Sequence, residues 1–304
     1  MNFGCDVLDM HQHYYRFRFA KIKYYIIRRE GSGAGLFSLV NTALGHIDYA
    51  IKHNYIPVID MKNYYNCYLE DDEIGVVNSW ERLFDQPLDI GLDEAYNGRC
   101  VILSEGCPIS PRPDDDMEFF NNINGRLDYW NSLAHKYIRV RKDILNEIEV
   151  ERSSLFSSSD KTLGVLARGT DYLSLKPFGH PVQPEPQQIL EKVKAVFEEG
   201  KYTKIFLATE DKSIQGLFEE AFGDIVVSNK REYVDYVEGQ SVTKSSINRD
   251  NDRFLRGKEY LTTILILSKC DGIIAGRTSG TVGAFLLSDG YDYSYVYDLG
   301  RYGE

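Results

Sequence analysis

Three short segments in the second half of the chain carry chemically capable residues directly behind apolar runs. In "GVLARGTDYLSLKPFGHP", Arg168, Thr170 and Asp171 follow the run, and His180 and Pro181 close the segment. In "KIFLATED", Thr209, Glu210 and Asp211 follow Ala208. In "DGIIAGRTSGTVGAFLL", Arg277, Thr278, Ser279, Gly280 and Thr281 follow Gly276. Short apolar runs bounded this way read as buried strands, and ligands bind beyond the carboxyl ends of parallel strands. The third segment runs straight into a helix, whose first N–H groups and hydroxyls can receive a phosphate at the positive end of the dipole. Arg168 can add a bidentate guanidinium contact to a diphosphate. Any one of these groups alone reads as a helix cap or a surface salt bridge. Three on one sheet edge point to an anionic ligand.

The elements that must position these residues alternate short apolar runs with amphipathic segments, the α/β pattern. In the second half, strands at "TLGVLARG", "KIFLATED", "IVVS", "DGIIAG" and "YSYVYDLG" are separated by helical segments, which predicts a doubly wound parallel sheet. In the first half, "KYYIIRR" reads as a strand running into the glycine loop "EGSGAG". A helix over about Leu36 to His53 and a strand at "YIPVID" follow. "CVILSEG" reads as a strand and "MEFFNNINGRLDYWNSLAHKYIRV" as one long helical region, while residues 63–98 show no clear period. The serines of "RSSLFSSSDK" mark a linker. The expected architecture is α/β, two Rossmann-like domains facing a cleft: 1–152, a linker 153–161, and 162–304.

Composition narrows the function classes. The chain has 304 residues, long enough for two domains, with 46 acidic against 35 basic side chains and a formal net charge of −11. Both halves carry an acidic excess, which argues against a nucleic-acid partner but not against a local basic pocket. Five cysteines without a CxxC pair read as thiols of a reducing compartment. With no apolar run of membrane-spanning length and no signal-like start, the expectation is a cytoplasmic protein. Tyr14 to Arg29 holds six basic residues and no acid. It reads first as a strand with solvated basic positions, and second as a peripheral membrane or acceptor-docking patch.

The order of the three segments resembles the α1,6- and protein O-fucosyltransferase superfamily, which includes the nodulation and core fucosyltransferases. Arg168, Thr170, Asp171, His180 and Pro181 match its first motif, and "KIFLATED" is similar to its second. "RFLRGKEYLTTILILSKCDGIIAGRTSGTVGAFLL" resembles its third, with Arg256 and the Thr278–Ser279 pair in place. The likeness covers roughly Leu163 to Leu287; in the first half it rests on the glycine loop with Gly33 and Gly35 and the helix that follows. The resemblance implies a GT-B glycosyltransferase that inverts the anomeric centre and needs no metal or other cofactor. Its C-terminal domain would bind a nucleotide-sugar donor, GDP-fucose, and its N-terminal domain would help to receive a glycan acceptor. Arg168 would neutralise charge on the departing GDP, Thr278 and Ser279 would bind the diphosphate, and Thr209 to Asp211 would lie near the nucleoside.

This chain also departs from the family pattern. Gly169 stands where core and nodulation enzymes carry a second arginine, and Lys176 where the core enzymes carry an acidic residue proposed as the base. Thr263 stands where the third-motif helix has an acid. Lys176 is therefore expected to bind phosphate or an acidic acceptor, and Glu30, beside the glycine loop, is the candidate base. His46 and Asp48, on the following helix, are further candidates for the base or else simply face solvent. Two rival readings remain. Asp114 and Asp116 form an Asp-x-Asp that would suit a metal-dependent GT-A enzyme, or else cap the helix beginning near Met117. A donor-binding relative without a base is the other.

Overall fold

The computed structural model describes residues 22–30, 33–169, 175–232 and 247–304. Thr170 and Asp171, with the basic residues before Ile22, lie outside them. The first half contains β1 (Tyr24–Arg28), α1 (Leu36–Lys52), β2 (Ile56–Asp60), α2 (Ser79–Leu83), α3 (Leu92–Tyr96), β3 (Val101–Leu103), α4 (Met117–Phe120), α5 (Arg126–Tyr137) and α6 (Lys142–Leu155). The second contains β4 (Thr162–Leu166), α7 (Pro186–Glu199), β5 (Lys204–Ala208), α8 (Lys212–Phe222), β6 (Val226–Val227), α9 (Asp252–Leu267), β7 (Gly272–Gly276), α10 (Ser279–Leu287) and β8 (Tyr293–Tyr297).

Both sheets are parallel, ordered β2-β1-β3 and β6-β5-β4-β7-β8. In the larger sheet the strand order reverses between β4 and β7, and in the smaller between β1 and β3. These reversals open crevices at the carboxyl ends, and Arg168 and Arg29 emerge there. Along β1 the side chains alternate: Tyr24 and Ile26 pack with Val58, Leu92 and Ala95, while Tyr25 and Ile27 face the main core. On one face of the larger sheet, Leu163 and Val165 pack against α7 and α8. Its other face joins α9, α10, α1 and α5 in a single apolar cluster that runs through both halves.

Helix α10 is the hub of that cluster. Residues Gly280 to Leu286 are all buried, as expected of a short helix apolar on every side. It lies so close to α1 that a Cβ on Gly283 would overlap the Phe37 ring. At its far end Asn131 Nδ2, on α5, donates to the carbonyls of Phe285, Leu286 and Ser288, at 3.2, 3.2 and 2.8 Å. Those are among the carbonyls a helix end cannot satisfy itself.

Three expectations need correction. The helical region from Met117 is broken, because Asn122, Asn124 and Gly125 take left-handed φ of 51°, 56° and 70° between α4 and α5. Asn and Gly tolerate that conformation best. Arg152 to Leu155, read as linker, form the last turn of α6. His46 and Asp48 do not face solvent; both are buried. His46 Nε2 donates to the Cys107 carbonyl at 2.8 Å, so Nδ1 accepts from the Tyr25 hydroxyl at 2.9 Å. Asp48 accepts from Lys52 at 2.8 Å and from the Tyr129 hydroxyl.

Gly283→Ala is expected to cost about 1–3 kcal/mol through overpacking against Phe37. Urea unfolding should show a lower midpoint, and adding Phe37→Leu should recover part of the loss if the two sites are coupled through this contact.

Candidate functional site

A cleft of about 760 Å³ lies between the two halves. Its N-terminal wall includes Arg29, Gly33, Gly35, Ser38, Asn41, Arg112, Asp114 and Asp115. The C-terminal wall includes Arg168, His180, Glu210, Arg231, Arg256, Tyr260 and Thr278 to Gly280. With Arg277 and Arg301, seven arginines line the cleft against five carboxylates, in a chain that is acidic overall. Two helices begin there, α1 after Gly35 and α10 after Thr278. Their first N–H groups have no acceptor within their own helices, so both positive dipole ends meet one space.

The start of α10 is built by a chain of hydroxyls. Thr278 Oγ1 accepts from Thr281 N at 3.1 Å, and Thr281 Oγ1 donates to the Gly276 carbonyl at 2.6 Å. The single proton of Thr281 is thereby used, so in the 3.0 Å contact between the two hydroxyls Thr278 is the donor. The expectation that both threonines reach a phosphate is therefore revised: their hydroxyls are spent on the cap. Ser279 with its hydroxyl, and the N–H groups of Ser279 and Gly280, remain for a ligand. Gly280 is required for another reason, since a Cβ there would overlap the Tyr260 hydroxyl. Gly33 and Gly35 would accept a Cβ without contact, so their lack of side chains leaves room on the cleft side.

Each cleft arginine is held in its own way. Arg168 Nε lies 3.6 Å from Glu210 Oε1, and Arg256 Nε 3.1 Å from Asp252. Arg277 donates to Asp298 at 2.5 Å and to the Asp115 carbonyl at 2.6 Å. Arg301 donates to Asp115 at 3.1 Å, so these two arginines tie the 115 loop to the second half. Arg112 pairs with Asp114 at 3.0 Å. Arg29 donates to the Thr42 hydroxyl at 3.1 Å, and no carboxylate among the described residues pairs with it. Burial, with repulsion from Arg112, holds the Arg29 guanidinium below the usual arginine range. Asn41 is buried beside them, and its Oδ1 receives no hydrogen bond from the described residues. Such an orphaned acceptor costs about 1–3 kcal/mol unless a ligand supplies a donor.

Several expected site residues stand elsewhere. Glu30 does not line the cleft; it lies 3.4 Å from Arg28 and packs on Gly106. Lys176 is exposed, with a left-handed φ of 43°, and is not part of the cleft wall. Asp211 caps α8, accepting from Ser213 N at 2.8 Å. Thr209 is buried against a small side pocket behind Arg168. Of the basic stretch before the glycine loop, Arg28 bonds Tyr64 and Ser104 and Arg29 enters the cleft, so neither is a solvated strand position. In the Asp-x-Asp segment, Asp116 caps α4 by accepting from Phe119 N at 2.8 Å and pairs with Arg126 at 3.0 Å. That is the capping reading for Asp116, while Asp114 lines the cleft beside Arg112. The second-arginine position is closed to side chains: a Cβ on Gly169 would sit 2.5 Å from Asp211 Oδ2 and 2.9 Å from Ile214 Cδ1.

Arg29, Asn41, Arg112, Arg231 and Arg301 escape the motif reading. Arg29 alone left a signal, since it follows β1 as Arg168 follows β4; the others reach the cleft from loops and a helix flank.

No protein-family model matches the chain, and no curated protein matches it in sequence. Solved structures do. The NodZ α-1,6-fucosyltransferase soaked with GDP-fucose is 18% identical with a TM-score of 0.55, over 93% of this chain and 98% of that one. NodZ from Bradyrhizobium is 17% identical with a TM-score of 0.52, over 88% and 94%. POFUT1 in complex with GDP is 10% identical with a TM-score of 0.51, over 93% and 99%. The chain has the GT-B fold of these fucosyltransferases.

Gly169→Arg is expected to destabilise the protein by about 1–3 kcal/mol through collision with Asp211 and Ile214. Thermal unfolding of the variant beside the wild type measures the loss.

Proposed function

We propose that the protein transfers fucose from GDP-fucose to a hydroxyl of a glycan or glycoconjugate, with inversion and without a metal. The observation that carries this reading is the convergence of Arg168 and the α10 N-terminus at the strand-order reversal of the larger sheet. A diphosphate suits that place, and structures of the same fold were obtained with GDP or GDP-fucose.

In this reading the acceptor oxygen attacks the anomeric carbon on the face opposite the diphosphate. The bond from that carbon to the phosphate oxygen breaks, and its electron pair leaves with GDP. Arg168 and the N–H groups of Ser279 and Gly280 meet charge that grows as the bond opens, so they stabilise the transition state more than the bound donor. The acceptor proton needs a base in the cleft, and Asp114 and His180 both line it. Asp114 fits that role better than Glu30, because it lines the cleft from the N-terminal half. Burial, with Asp115 and Asp116 nearby, raises its pKa despite Arg112. Every cleft carboxylate meets an arginine, Asp114 included: it pairs with Arg112 at 3.0 Å, as Asp115 meets Arg301, Glu210 meets Arg168, and Glu232 and Glu259 meet Arg249.

A thermal-shift series with GDP, UDP, CMP and TDP, in the presence of EDTA, tests the donor. GDP and GDP-fucose should raise the melting temperature selectively and Arg168→Ala should abolish the shift; a selective response to UDP would overturn the assignment. Hydrolysis of GDP-fucose by water separates an enzyme from a donor-binding protein. Asp114→Asn should slow turnover by about 10²–10⁴-fold with GDP binding unchanged. A base must be deprotonated, so wild-type activity should fall as pH drops through the raised Asp114 pKa. That acid limb should lie above the ordinary carboxylate value of about 4 and disappear in the variant.

A further inference from the structure

The N-terminal wall holds a second group of polar side chains, contributed by other elements than Arg168 and the α10 N-terminus. Arg29 leaves the carboxyl end of β1, at the strand-order reversal of the smaller sheet, and anchors on Thr42. Arg112 is pressed against α1 because Gly45 has no side chain: a Cβ there would lie 2.7 Å from the Arg112 Cβ. Asn41 stands on the same helix, six residues past Gly35, which is about 9 Å along the axis from the α1 N-terminus. The three line the cleft together. Counting Asp114, paired with Arg112, the group carries two guanidinium charges and one carboxylate, a net single positive charge. Proteins seldom leave an enclosed guanidinium beside another without an anion to share.

We propose that Arg29, Arg112 and Asn41 form an acceptor subsite for a sugar bearing one anionic group, a carboxylate or a phosphate. The anion lies between the two guanidiniums, and a neighbouring sugar hydroxyl donates to Asn41 Oδ1, an acceptor that has no donor among the described residues. This rests on the transferase reading and names its substrate class. It also gives Asp114 its place, next to the bound anion's sugar and close enough to Arg112 to be oriented by it. The arginines distinguish acidic from neutral acceptors by charge, and planar carboxylate from tetrahedral phosphate by how the two forks are filled.

Calorimetric titration of the GDP-saturated protein with glucuronate, inorganic phosphate and glucose tests the subsite. One of the two anions should bind, and the better of them names the group; glucose should bind far more weakly. Arg29→Gln should weaken anion binding by about tenfold or more and leave GDP affinity within about twofold, while Arg29→Lys, which keeps the charge, should lose less. Asn41→Asp should abolish anion binding by placing a negative charge in the subsite. Exclusion of both anions by GDP would assign these arginines to the donor and overturn the proposal, as would equal anion binding by wild type and Arg29→Gln. If GDP does not bind, the donor reading fails by itself. Anion titration of the free protein against Arg29→Gln then decides the subsite on the same criteria.

Discussion

The contact between α10 and α1 is the constraint on which the rest of the structure depends. Gly283 lets the Phe37 ring lie against the α10 backbone, and Asn131 holds the carbonyl end of the same helix. With those two contacts fixed, both helices start at one cleft, and two positive dipole ends share it. Moving α10 by the width of a methyl group would shift the N–H groups of Ser279 and Gly280 relative to Arg168. The α10 end of the cleft is therefore set by apolar packing well behind it.

The larger sheet was legible because its information is local. Each strand is a short apolar run, each helix has its own period and stop, and the residues at strand ends follow within two or three positions. The five strands and their parallel order emerge from that rhythm, as does the gathering of Arg168, Ser279 and Gly280, whereas Arg256 was pointed to only by the motif resemblance. What stayed hidden depends on distant partners. Thr278 and Thr281 carry the same hydroxyls whether they bind a ligand or one another, and only the 3.0 Å contact between them decides. Glu30 turns toward Gly106, which is 76 positions away in sequence. Arg112 and Arg301 reach the cleft from loops with no periodicity. The break between α4 and α5 was readable in principle, since "NNING" gathers residues that accept left-handed backbone, but the aromatic residues around it masked the signal.

The charge distribution joins the two walls. A chain of net charge −11 concentrates seven arginines in one cleft, and most are tied to carboxylates that set their direction. In a confined space of lowered dielectric these paired charges act strongly on a ligand, while at the acidic surface solvent screens their effect. Gly169 shows the same economy of space: Asp211 and Ile214 fill the volume that a second arginine would need beside Arg168.

The apolar cluster that joins both halves also bears on how the molecule can be divided. Leu166, Phe206 and Ile273 of the larger sheet share a core with α1 and α5 of the first half. A fragment ending before β4, or beginning there, would leave one side of that core open to water, and exposed patches of that kind promote aggregation. The serine-rich stretch between α6 and β4 looks like a place to cut, yet the halves are welded beneath it. Recombining either half with that of another protein of this fold would require the partner surface to be rebuilt as well, so the two walls of the cleft cannot be exchanged as loose modules.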